Sequence, residues 1–191
     1  ITFRVEGGPL ILSGDRIALA GFNQGAPTYS IVTRITAAGA VDATFGSTGY
    51  AFVDGVSGPE IPLAMAVDAT GRILVAGFDQ LNTSDNRQTF VARVDVNGAV
   101  DAAFLAASQA TTEQFLVPRQ VRVDGGGRVL LIGNLPIPGT QYEGPPAVAI
   151  LDRSLGATRR KKLNEQGERT DEDAAISLAL CAIRRAANPD N

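Results

Sequence analysis

The chain has 191 residues, 45% of them hydrophobic and 19% charged, with a formal net charge of -3. That balance describes one or two globular domains rather than a disordered segment, and the slight acidic excess argues against a broad nucleic-acid surface. No apolar run approaches the roughly 18 residues of a membrane-spanning helix, and the absence of histidine excludes a Ser-His-Asp or Cys-His arrangement and any His-ligated metal.

Taken in chain order, the sequence repeats itself. Arg16-Ile-Ala-Leu-Ala-Gly21-Phe22 returns as Arg72-Ile-Leu-Val-Ala-Gly77-Phe78 and again as Arg128-Val-Leu-Leu-Ile-Gly133-Asn134. The glycines are evenly spaced, since 77 − 21 = 133 − 77 = 56. A second block follows the first: Ile31 to Thr36 precedes Ala38 to Phe45, and Val91 to Asp95 precedes Asn97 to Phe104. In the third copy Val148 to Asp152 survives, but the block after it has degraded to Ser154-Leu155-Gly156-Ala157.

The second copy predicts four short strands, Tyr50–Val53, Leu63–Val67, Arg72–Phe78 and Thr89–Val94. Each is rich in Val, Ile, Leu or Ala, and polar turn residues separate them. Asp68-Ala-Thr-Gly71 and Asp124-Gly-Gly-Gly127 read as equivalent hairpin turns, with Ser13-Gly14-Asp15 as a version one residue shorter. The expectation is an all-β fold of three four-stranded propeller-like blades, about 1–46, 47–104 and 105–157, in a repeat domain spanning 1–157. The small pairs Ala20-Gly21 and Ala76-Gly77 are expected to let neighbouring blades approach closely.

The run Val67-Asp-Ala-Thr-Gly-Arg-Ile-Leu-Val-Ala-Gly77, then Phe90 to Asp95, Asn97-Gly98 and Asp101 to Phe104, resembles the delta-60 repeat of bacterial β-propeller-like proteins, as does Asp42-Ala-Thr-Phe-Gly46. The resemblance covers about 1–157, is weakest in the first hairpin and at the end of the third copy, and implies a family without assigned activity or catalytic residues. It also implies a secreted or cell-surface setting.

Three blades would leave two uncovered faces. Two chains closing a six-bladed ring, an arc capped by the tail, and further blades elsewhere each resolve this, and a homodimer is the favoured expectation. From Thr158 onward the composition changes, with 13 charged residues in 34 against 24 in the preceding 157. Residues 158–191 read as a charged linker followed by a C-terminal α-helix, with Thr170 as its cap and Ile176, Leu180 and Ile183 as an apolar stripe. This helix is expected to dock on the blades or bind a partner. The basic run Arg159-Arg160-Lys161-Lys162 reads as solvated linker.

Signals for chemistry are sparse. The single cysteine, Cys181, falls on the apolar stripe and reads as a packed thiol. Gly125 to Gly127 lacks a following Gly-Lys-Ser/Thr, so it reads as a turn rather than a phosphate loop. Asp54, Glu60, Asp79 and Asp85 are the carboxylates available to a hydrolase. The stretch Asp79 to Asn86 is rich in oxygen ligands but does not match the EF-hand spacing, and no cofactor or metal is expected. The leading expectation is a non-catalytic binding or scaffold module. Its ligand, a protein or glycan, would sit on loops Asn23–Tyr29, Asp79–Gln88 and Pro136–Pro146, with Asn23, Gln24, Tyr29, Asp79, Asn82, Asp85, Asn86 and Tyr142 as candidate contacts. The alternatives are a purely structural segment of a larger surface protein, and a hydrolase using the loop carboxylates.

Overall fold

A computed structural model describes residues 3–23, 29–54, 60–80, 87–105, 116–136 and 143–151, all within the unit Ile1–Arg159. The architecture is all-β, and the predicted C-terminal helix, the basic run and Cys181 lie outside the described residues.

Strands β1 (Arg4–Val5), β2 (Leu10–Ile11), β3 (Ile17–Phe22), β4 (Ser30–Ile35) and β5 (Tyr50–Val53) form one antiparallel sheet. Both β1 and β2 pair with β3, so they act as one edge strand interrupted near Gly7. The second sheet is β6 (Glu60–Val67), β7 (Ile73–Gln80) and β8 (Arg87–Val94), in that order. The third is β9 (Val117–Val123), β10 (Val129–Pro136) and β11 (Glu143–Leu151).

Alternation along the strands supplies two cores. In β7, Ile73 and Val75 point to one face while Leu74 and Ala76 point to the other. The first core joins Ala18, Ala20, Val32, Ala51 and Val53 of the first sheet to Ile73, Val75, Phe90, Ala92 and Val94 of the second. The second core joins Ala64, Ala66, Leu74, Ala76 and Val91 to Val121, Val129, Leu131 and Leu151 of the third sheet. The middle sheet is therefore buried on both faces, which is why its strands carry so few charges.

Three expectations change. Tyr50–Val53, read as the first strand of the second copy, pairs with β4 and completes the first sheet, with Tyr50 opposite Thr33 and Val53 opposite Ser30. The sheet therefore crosses the expected boundary at residue 46. A repeat fixes the period of a chain but not the point at which one unit ends, and here a tight turn through 46–50 folds the strand back onto β4.

The first hairpin is not shorter than the others. Leu12 N–H donates to the Arg16 carbonyl at 2.8 Å, as Asp68 does to Arg72 (2.9 Å) and Asp124 to Arg128 (3.0 Å). Leu12 occupies the aspartate's place and packs against the first core instead.

Finally, Ala20 and Ala76 do line the cores between sheets, but the glycines beside them serve their own sheets. A Cβ on Gly21, Gly77 or Gly133 would collide with the carbonyl oxygen of Arg4, Ile61 or Val117 on the adjoining edge strand. In the second and third sheets the register shifts at or beside this point, and the displaced backbone leaves no room for a side chain.

Candidate functional site

The two ends of these sheets differ in chemistry. One end carries the short hairpins. At Asp68 the carboxylate accepts from Thr70 N–H (2.9 Å), Thr70 Oγ1 (2.7 Å), Arg72 N–H (3.0 Å) and Arg72 Nε (2.7 Å). Gly71 closes the turn at a φ of 84°, a conformation that glycine adopts without strain. Asp124 repeats the device with Gly126 N–H, Arg128 N–H and Arg128 Nε at 2.9, 2.8 and 2.6 Å. Burial alone would raise both carboxyl pKa values, but the hydrogen bonds from Thr70 and Arg72, and from Arg128 and Gly126, outweigh it and hold them below the usual range.

Strands β4 and β8 carry a second device at the same end. Arg34 Nε donates to Asp42 at 2.8 Å and its guanidinium lies 4.7 Å from the centre of the Phe45 ring. Arg93 donates likewise to Asp101, with the Phe104 ring centre 4.4 Å away. The three residues recur together, because 93 − 34 = 101 − 42 = 104 − 45 = 59. Each aspartate sits where a hairpin returns to its strand, with Asp42 N–H on the Arg34 carbonyl and Asp101 N–H on the Arg93 carbonyl. Hydrogen bonds from the Thr44 side chain in one case and the Arg93 side chain in the other lower the carboxyl pKa values. In the third sheet the register places Ile150 where the arginine stands in the other two.

The opposite end carries the connections in which ligand contacts are expected. Asn23 and Tyr29 come together there: Asn23 Oδ1 accepts from Tyr29 N–H at 2.6 Å, and Asn23 N–H donates to the Tyr29 carbonyl at 3.3 Å. Asn23 thus closes the base of its loop with its side-chain oxygen. The Tyr29 ring meets Phe52 edge-on at 6.2 Å, and Phe52 is partly exposed. Asp79 lies in β7, opposite Glu60 on one side and Gln88 on the other. Gln24, Asn82, Asp85, Asn86 and Tyr142 lie outside the described residues.

Of the carboxylates named for a hydrolase, Asp54 and Glu60 do not share one environment. Asp54 is exposed just after β5, whereas Glu60 is 1% exposed and accepts from Ser30 N–H at 3.4 Å. Ser30 Oγ also donates to the Glu60 carbonyl at 3.2 Å, tying the first sheet to the second. Thr89 repeats this tie between the second and third sheets, donating to the Leu116 carbonyl (2.7 Å) and accepting from Leu116 N–H (2.8 Å). Among the described residues, no group of three or more acidic or cysteine side chains is placed to hold a metal ion. No described helix is long and apolar enough to cross a membrane.

The family described as "Domain of unknown function (DUF5122) beta-propeller" matches residues 69–104. That stretch begins inside the Asp68 hairpin and ends on Phe104 of the second arginine device. The match supports a β-propeller-like family of unknown function. No curated protein matches the chain.

Sequence reasoning missed Ser30, Thr89 and both arginine devices. The signal was present as a spacing of 59 in the second block against 56 in the first, with Arg, Asp and Phe at fixed offsets. The difference of three residues falls in the loop between the two blocks.

Proposed function

We propose that the chain is a non-catalytic binding or scaffold module built of delta-60-like blades, with a protein or glycan ligand taken by loops on one rim. The observation that supports this is the contrast between the two ends. At the hairpin end the aspartates and arginines spend their hydrogen bonds on their own turns and strands, and Arg34 also on the neighbouring sheet. At the other end the connections differ in length and sequence between copies, the usual condition for loops that carry recognition on a constant frame. The candidate contacts remain Asn23, Gln24, Tyr29, Asp79, Asn82, Asp85, Asn86 and Tyr142. Asn23 is assigned the further role of shaping its loop.

The test is binding of the full chain to an array of immobilised glycans, repeated with Asn82→Ala, Asp85→Ala and Tyr142→Ala combined. The rim reading expects at least a tenfold loss of binding in the triple variant. Undiminished binding by that variant would sink it. A parent chain that binds no glycan would shift the choice to a protein ligand or to a purely structural segment, a reading favoured by how fully the family-matched stretch is spent on turns and strands.

A further inference from the structure

We infer that the turn at Thr36–Ala40 is the receiving half of a blade-to-blade joint, and that its occupant is a further blade of this repeat lying outside the three sheets. The joint is seen complete between the first and second sheets. There Arg34 Nη1 donates to the Val96 carbonyl at 2.6 Å, and Gly46 N–H donates to the Asn97 carbonyl at 2.7 Å. Gly98 of the same turn is buried against Gly46, so closely that a Cβ would overlap the Gly46 backbone.

The first sheet carries the same turn 59 residues earlier. Thr36 N–H donates to the Ala40 carbonyl at 2.8 Å and Gly39 N–H to the Thr36 carbonyl at 2.9 Å. Asp95 with Ala99, and Gly98 with Asp95, make the matching bonds at 2.9 and 3.1 Å. The backbone agrees too, with φ of 82° at Gly39 and 89° at Gly98. The surroundings do not agree. Residues 37–40 are exposed, a Cβ on Gly39 would meet nothing within 4 Å, and among the described residues nothing donates to the Ala37 or Ala38 carbonyl. The turn is shaped to accept an arginine and a backbone N–H, and among the described residues neither carbonyl has a donor.

The chemistry of the occupant follows from the donors of the complete joint. It is a blade with an arginine at the place of Arg34, held by an aspartate and a phenylalanine as Asp42 and Phe45 hold it. A second copy of this chain has no such blade to offer. The Arg34 side of its first sheet is engaged by the second, and the Thr89 side of its second sheet by the third. Its third sheet carries Ile150 at the arginine's register position and Pro146 at that of Ser30 and Thr89.

The experiment uses the full chain carrying Cys181→Ser and Ala38→Cys, and reads the rate of maleimide labelling. A copy of residues 3–59 is fused ahead of residue 1. The expected result is labelling at least tenfold slower in the fusion than in the parent, returning to the parent rate when the added copy carries Arg34→Ile. Ala69→Cys, on a hairpin outside the joint, should label at one rate throughout. A parallel fusion with residues 60–115, which brings Arg93, guards against a first copy that does not fold. Protection by neither fusion overturns the proposal, as does protection that ignores the arginine. Slow labelling of the parent itself also overturns it. Recovery on dilution would identify a second copy as the occupant, and recovery on deleting 158–191 would identify the chain's own tail.

Discussion

The joint between the first and second sheets and the joint between the second and third are built from the same positions but held differently. Ser30 and Thr89 occupy one register position, yet Ser30 Oγ makes a single 3.2 Å bond to the Glu60 carbonyl while Thr89 Oγ1 exchanges bonds of 2.7 and 2.8 Å with both backbone groups of Leu116. The arginines divide the other way. The side chain of Arg34 is 8% exposed and reaches across to Val96, whereas that of Arg93 is 21% exposed and bonds Asp101 of its own sheet. Repetition therefore fixes where each contact can form, and the neighbour decides which of them bears on the joint.

The sharpest test of that division is Thr89→Val, which keeps the shape and removes the hydroxyl. It leaves the N–H and carbonyl of Leu116 buried without this partner and should cost about 3 kcal/mol. Chemical denaturation with an unchanged m-value would check it. Next comes Arg34→Ala, expected to cost about 2 kcal/mol through the lost charged hydrogen bonds and the contact with Phe45. The same change at Arg93 should cost about 1 kcal/mol, because its surroundings are wetter. Equal losses at the two arginines would break the comparison.

Much of this frame was legible. Even glycine spacing, Val- and Ile-rich segments and Asp-x-x-Gly turns located the strands of the middle sheet to within a few residues. Membership of Tyr50–Val53 was not legible, because strand pairing depends on a turn whose direction the residue types leave open. The arginine devices were hidden for a related reason. Arg34 and Asp42 look like unrelated surface charges in a linear reading and become partners only when the hairpin at Thr36–Ala40 folds one back onto the other. The candidate loop residues were named from polarity and position, and of these Asn23 proves to be committed to its own loop.

Ser30→Ala completes the comparison from the weaker side. It removes one neutral hydrogen bond at the first joint and should cost about 1 kcal/mol, roughly a third of the loss at Thr89. If it costs as much as Thr89→Val, the hydroxyl tie matters equally at both joints and the arginine is not what distinguishes them.

Acid supplies the smallest effect and a control. Asp68 and Asp124 have carboxyl pKa values held down in the folded state, so between those values and the unfolded value of about 3.9 the unfolded chain binds more protons. Stability therefore rises with pH across that window. The contribution is complete above the unfolded value and is lost as pH falls through the depressed ones. Both hairpins touch water, so each carboxylate should account for no more than about 0.5 kcal/mol. Replacing both, Asp68→Asn with Asp124→Asn, should flatten the fall in unfolding midpoint measured from about pH 5 down to about pH 3. Neither aspartate belongs to a joint. The double variant should therefore leave Thr89→Val costlier than Arg34→Ala, and Arg34→Ala costlier than Ser30→Ala, when each is remade in its background. A reordering would mean that the hairpins and the joints are coupled through the sheets, and that the two joints cannot be read as separate structures.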